Sequence, residues 1–256
     1  MTNSAHVERV AGGHRLWVRL CHWPIAVGVL VLCVSGFVIL MAHPRLYWGE
    51  TGNDMTPTWL ELPISRNYHH GGWETPQTFQ EVPSRPVSAV RTFDLFNQNG
   101  WARSLHFLAA WWLLGFGAVY GGAALALGHL RRNLLPGREG LSLRLIFGDV
   151  AAHLRRSAPV APGPPYNLLQ RWAYFIVLFL CLPLSLLTGL TMAPAVTAAC
   201  PWLLDVFHGT QSARSLHFLS FCTLALFVLV HVAMVVRTGF KAQLIAMIVG
   251  RSGRDA

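Results

Sequence analysis

The stretch Gln211–Val236, QSARSLHFLSFCTLALFVLVHVAMVV, decides the fold. From Ser215 onward it is apolar for long enough to cross a bilayer, yet it carries two histidines, His217 and His231, in its interior. Their fourteen-residue separation, at about 100° per residue, falls about 40° short of four helical turns. Both imidazoles therefore leave one face, about 21 Å apart along the axis. Ionisable side chains are expensive to place in hydrocarbon, so a spanning helix holding two of them offers a nitrogen ligand near each membrane surface. The competing use is a pair of hydrogen bonds across a bundle.

Outward from this segment, three more runs are long and apolar enough to span, giving spans at about 23–42, 104–127, 168–190 and 215–236. With 53% hydrophobic and 12% charged residues, the chain is excluded from the ordinary soluble class. No alternating strand pattern of a barrel is present, and helices are what satisfies the backbone in lipid. The expected fold is all-α: one integral membrane domain over residues 1–256, a four-transmembrane-helix bundle with loops at 43–100 and 128–166. The first span has no small-x-small cleavage site before Pro44 and reads as a retained helix.

A net charge of +9 would suit a nucleic-acid binder, but its distribution excludes that partner. The two termini and the 129–165 loop hold thirteen Lys and Arg, whereas the 44–100 and 191–208 loops hold four. By the positive-inside rule, both termini are expected to be cytoplasmic and the 44–100 loop to lie outside. That loop is too long for an idle connection and reads as a lid that receives another protein. His69-His70 within it lacks the spaced partners of a metal site. Residues 141–156 suit a helix lying on the membrane surface. The five cysteines form no C-x-x-C pair and no C-x-x-C-H sequence, so covalent haem attachment is excluded and packing is their expected role.

The strongest internal signal is a repeat: Ala-Arg-Ser-Leu-His-Phe occurs at 102–107 and again at 213–218. Each copy opens a helix running inward from the outer surface, so His106 and His217 share a depth. At the other depth stand His22, at the head of the first span, and His231. Two histidine pairs at two depths are what two bis-histidine haems require. His43 at the outer level, and His14 or His129 at the inner, are competing ligands at the ends of the apolar runs. Arg103 and Arg214, three residues before the repeated histidines, can meet haem propionates, a partner's carboxylates or the interface. Gly28 and Gly36 can admit a neighbouring helix or a flat cofactor. The third span carries no histidine and is expected to bend near Pro183.

These residues are similar to the di-haem b-type cytochrome subunits that anchor periplasmic oxidoreductases such as nickel-iron hydrogenase and formate dehydrogenase. The segments YNLLQRWAY (166–174), TGLTMAP (188–194) and HPRLYWGE (43–50) resemble the variant associated with thiosulfate reductase and other molybdopterin enzymes. The resemblance covers approximately residues 14–240. It implies a multi-pass protein of the bacterial inner membrane with two non-covalent b haems, ligated by His22, His106, His217 and His231. It also implies a quinone site near the inner haem, where His14, Arg15, Arg19, Asn167, Gln170 and Arg237 supply hydrogen-bonding groups. The expected function is transmembrane electron transfer between the quinone pool and an oxidoreductase subunit docked on the outer loop. A stand-alone quinone-linked oxidoreductase, such as a superoxide oxidase or ferric reductase, would use the same four histidines. A proton-relay transporter is a third class, against which the lack of intramembrane Asp or Glu counts.

Overall fold

The computed structural model describes residues 15–53, 56–64, 99–130 and 168–250, together with positions 135, 142, 145 and 148. The expectations for 69–70, His14, Asn167 and most of 141–156 lie outside the described residues. Helix α1 covers Leu16–Ala42, β1 Arg45–Leu46, β2 Leu60–Glu61 and α2 Asn99–Ala126. Helices α3 (Leu168–Ile176) and α4 (Leu182–Thr191) flank a π-helical turn at Val177–Cys181. Two short helices, α5 (Pro194–Ala199) and α6 (Trp202–Phe207), precede the long α7 (Thr210–Arg237), and α8 (Phe240–Ile248) follows it.

Four helical segments are long and apolar enough to span: Leu16–Ala42, Gly100–Ala126, Leu168–Thr191 and Thr210–Arg237. The chain is an all-α, multi-pass membrane protein. Its large apolar side chains point outward: Trp111 is 67% exposed and Leu229 68%. Each such side chain would forgo about 1.5–3 kcal/mol of burial in water, whereas lipid solvates it. Among the described residues the buried set is short and holds, beside apolar side chains such as Val38, Leu46 and Phe207, the hydroxyls of Ser35, Thr188, Thr191, Ser212, Ser215 and Ser220. Small residues let helices approach closely where lipid and core are equally apolar.

Helix α1 starts at Leu16 rather than near Trp23, so His22 lies inside the helix and not at its head. Hydropathy counts Arg15, Arg19 and His22 against a span, but the backbone hydrogen-bond ladder is indifferent to them. Just before Pro183, where a bend is expected, the helix carries the π turn. The Leu182 N–H reaches back five residues to the Val177 carbonyl. Pro183 has no N–H to donate to Phe179, so the ladder shifts register ahead of it.

By contacts the chain divides into two compact units. The terminal unit comprises Met1–Ile25, Gly115–Pro183 and Thr223–Ala256; the loop unit comprises Ala26–Leu114 and Leu184–Cys222. In the terminal unit, α8 closes onto α1. The Arg19 Nη1 donates to the Ile248 carbonyl at 2.9 Å and the Trp23 Nε1 to the Met247 carbonyl at 3.4 Å. Those carbonyls belong to a helix C-terminus and have no intrahelical donor.

In the loop unit, the start of the 43–100 segment is fastened to the head of α7. Strands β1 and β2 pair antiparallel, Leu46 opposite Leu60. The first N–H groups of a helix lack intrahelical partners, and here Gln211 and Ser212 donate theirs to the Gly49 carbonyl at 3.1 and 3.2 Å. The Gly49 N–H in turn donates to Ser212 Oγ at 2.7 Å. Ser215 Oγ accepts from Trp59 Nε1 at 2.9 Å and donates to the Tyr47 carbonyl at 2.6 Å. Gly209, at φ +100°, passes so close that an added Cβ would lie 2.6 Å from the Gly49 oxygen. Ser215→Ala is expected to destabilise the protein by about 1–3 kcal/mol, because it strands the buried Tyr47 carbonyl and takes the partner from the Trp59 indole N–H. A thermal midpoint in detergent equal to that of the unaltered protein would show that the clamp contributes nothing.

Candidate functional site

The repeated hexapeptide brings His106 on α2 and His217 on α7 together. Their ring centres are 6.2 Å apart with planes inclined at 61°. In the terminal unit, His22 on α1 and His231 on α7 make a second pair, 6.3 Å apart and inclined at 49°. Phe227, one turn before His231, stacks on it at 6.0 Å, and Trp23 sets its edge against His22 at 5.3 Å.

These separations bear on how each pair is used. Two imidazoles joined by a direct N–H···N hydrogen bond of about 2.9 Å would put their centres about 5 Å apart. An imidazole nitrogen sits about 2.0 Å from a metal it ligates and about 1.1 Å from its ring centre. Two rings gripping one ion from opposite sides therefore stand about 6.2 Å apart. Both observed pairs match the second figure, a separation that plain ring packing also reaches, as at Tyr174 and Phe227 at 6.1 Å. Among the described residues no group of three or more His, Cys, Asp or Glu comes together. The pairs thus suit a metal whose remaining donors come from a macrocycle, as in haem, better than an ion caged by side chains alone.

The other histidines are placed differently. The His43 backbone carbonyl accepts from Arg214 Nη2. His129 sets its ring edge-on to Trp17 at 5.5 Å, and Trp17 in turn meets Tyr120 at 5.3 Å. Partial burial, and then the neighbouring Arg15 guanidinium, hold the His129 pKa below its ordinary value. Arg103 is exposed, and Arg214 is committed at least in part to the loop carbonyl. Gln170 lies half-buried in the first turn of α3, Arg15 and Arg237 are exposed, and the Arg19 guanidinium is engaged by Ile248.

Gly36 and a glycine that sequence reasoning passed over, Gly189, occupy corresponding places beside the two rings, Gly36 the more tightly. A Cβ on Gly36 would stand 3.3 Å from His106 Cε1, and one on Gly189 3.5 Å from His217 Cε1. Each glycine follows a fully buried hydroxyl: Ser35 Oγ is 3.0 Å from His106 Nδ1, and Thr188 Oγ1 is 3.0 Å from His217 Nδ1. The signal that would have found them is the shared pattern of a hydroxyl residue, glycine and a downstream Met-Ala in Ser35-Gly36…Met41-Ala42 and Thr188-Gly189…Met192-Ala193.

Residues 142–250 match the prokaryotic cytochrome b561 family. Over 237 residues, 93% of this chain and 96% of the relative, the sequence is 30% identical to a putative protein-methionine-sulfoxide reductase subunit, YedZ1, of Azospira oryzae. No solved structure matches at a significant level. These likenesses reach the cytochrome b family, and neither extends to hydrogenase, formate dehydrogenase or thiosulfate reductase in particular.

Proposed function

Because the chain belongs to the prokaryotic cytochrome b561 family, membrane electron-transfer proteins that hold haem b, we propose that it is the di-haem membrane subunit of a quinone-linked oxidoreductase. The observation that carries this reading is the pair of histidine separations, 6.2 and 6.3 Å, one in each unit. His106 and His217 would hold one haem and His22 and His231 the other. Bound there, haem would supply a one-electron centre which, held by two imidazoles, is closed to oxygen and substrate. The chain's own residues orient the imidazoles, exclude water with apolar helix faces and set how strongly each nitrogen donates.

The partner is an oxidoreductase subunit on the outer face of a bacterial inner membrane, with both termini of this chain cytoplasmic. The name of the YedZ1 relative supports a catalytic subunit acting on protein methionine sulfoxide, in keeping with the molybdopterin class that the sequence resemblance implies. That relative is a subunit, which favours the partnered reading over a stand-alone oxidase or reductase. The clamp of residues 45–61 onto α7 supports the 43–100 segment as a docking platform, since it fixes the platform one turn from His217. Quinone is placed at the His22 and His231 end, beside Arg15, Gln170 and Arg237. Arg19 serves there chiefly by holding α8.

Purified protein is expected to show a low-spin b-type spectrum with two haems per chain, reducible by a quinol. Gln170→Ala should slow quinol reduction several-fold at unchanged haem content. A colourless protein would refute the proposal as a whole. Wild-type reduction rates in Gln170→Ala would move the quinone site elsewhere.

A further inference from the structure

Resting on the reading that His106 and His217 hold a haem, we infer that Ser35 and Thr188 are positioning residues that fix the proton of each imidazole on Nδ1, leaving Nε2 as the ligating atom. The argument is a count of hydrogens. A serine hydroxyl has one hydrogen and two lone pairs. Ser35 Oγ lies 2.6 Å from the Val31 carbonyl, 3.4 Å from that of Leu32 and 3.0 Å from His106 Nδ1. A carbonyl has no hydrogen to give, so the 2.6 Å contact uses the only one Ser35 has. What the hydroxyl then presents to His106 is a lone pair, and the 3.0 Å contact is a hydrogen bond only when Nδ1 carries the proton. A neutral imidazole has one N–H, so Nε2 keeps its lone pair for a metal.

The same count holds at the other ring. Thr188 Oγ1 is 2.6 Å from the Leu184 carbonyl, 3.2 Å from that of Ser185 and 3.0 Å from His217 Nδ1. Back-bonding of Ser and Thr to the preceding turn is ordinary in helices. It does not explain why both hydroxyls also touch Nδ1 of a histidine, at the corresponding residue of each copy of the hexapeptide. Nor does it explain why each is followed by a glycine set against the ring edge, closely at Gly36 and at ordinary contact distance at Gly189. Ser35 and Thr188 are both fully buried, so water cannot take over as acceptor. The Leu32 and Ser185 carbonyls also reach the His106 and His217 rings and, like the hydroxyls, can only accept a ring proton. The two hydroxyls are thus the matched side-chain acceptors, one for each imidazole of the pair.

A ligand histidine whose far N–H is hydrogen-bonded is the stronger donor, and loss of such a partner typically weakens metal binding about 10–100-fold. The test uses the purified holoprotein. Thr188→Val keeps the shape and removes the oxygen; Ser35→Ala does the same at the other ring. Each is expected to speed transfer of the outer haem to an excess of apomyoglobin about 10–100-fold. Each should also move the midpoint potential of that centre to a more positive value, with the double variant displaced furthest. Ser35→Thr and Thr188→Ser, which keep the hydroxyl, are expected to match the unaltered protein in both readouts. The inference is overturned if the hydroxyl-less variants match it too, or if the hydroxyl-keeping variants shift as far. His106→Ala and His217→Ala, measured in parallel, separate the two levels of the argument. If they keep the outer haem, the ligand assignment itself has failed. If they lose it while Thr188→Val and Ser35→Ala behave as the unaltered protein, only the present inference has.

Discussion

Replacing His217 with alanine is expected to lower haem content from two per chain to one, with the surviving centre belonging to His22 and His231. The expectation rests on geometry confined to the loop unit: the His217 ring faces His106 at 6.2 Å, a gap of metal-spanning width. Alanine leaves that gap open on one side, and the remaining imidazole cannot hold a low-spin, six-coordinate iron alone. His231→Ala is the complementary case and should spare the outer centre. Haem-to-protein ratio and the reduced-minus-oxidised spectrum read both outcomes. A His217→Ala protein that keeps both haems at full occupancy would dissolve the pairing of His106 with His217.

The second large effect is expected at the glycines. Gly36→Leu and Gly189→Leu should each abolish the outer haem while leaving the centre at His22 and His231 intact. A Cβ alone would already lie 3.3 Å from His106 or 3.5 Å from His217. The further carbons of leucine must displace the ring and pull Nδ1 from its hydroxyl. Overpacking of this kind costs about 1–3 kcal/mol before any ligand bond is counted. Alanine is the graded control, with partial occupancy expected at Gly36 and a milder loss at Gly189, where the contact is longer. Full outer-haem occupancy in both leucine variants would return these glycines to plain helix packing.

The sequence by itself determined the spans, because apolar length is a local property that a bilayer reads directly. It also put His106 and His217 at one level, since an identical hexapeptide entering the membrane in the same direction leaves its histidine at the same depth. Level is not contact, however. That these two rings face each other, and that His231 meets His22 while His129 turns its edge to Trp17, depends on how helices rotate about their axes. Rotation in lipid is set by small residues at helix contacts, such as the buried Ser35 and Thr188 and the half-buried Gly36 and Gly189, whose hydropathy is unremarkable. Ser35 and Thr188 were opaque for a further reason: a helical hydroxyl satisfies itself on its own preceding turn, so nothing local announces a second partner 71 or 29 residues away. The same holds for the outer segment, whose Gly49 caps a helix beginning 161 residues later at Thr210. Length marked it as more than a connection. Only the tertiary structure decided that it is bound to the head of the helix carrying His217, because the orphan N–H groups there take whichever carbonyl the fold delivers.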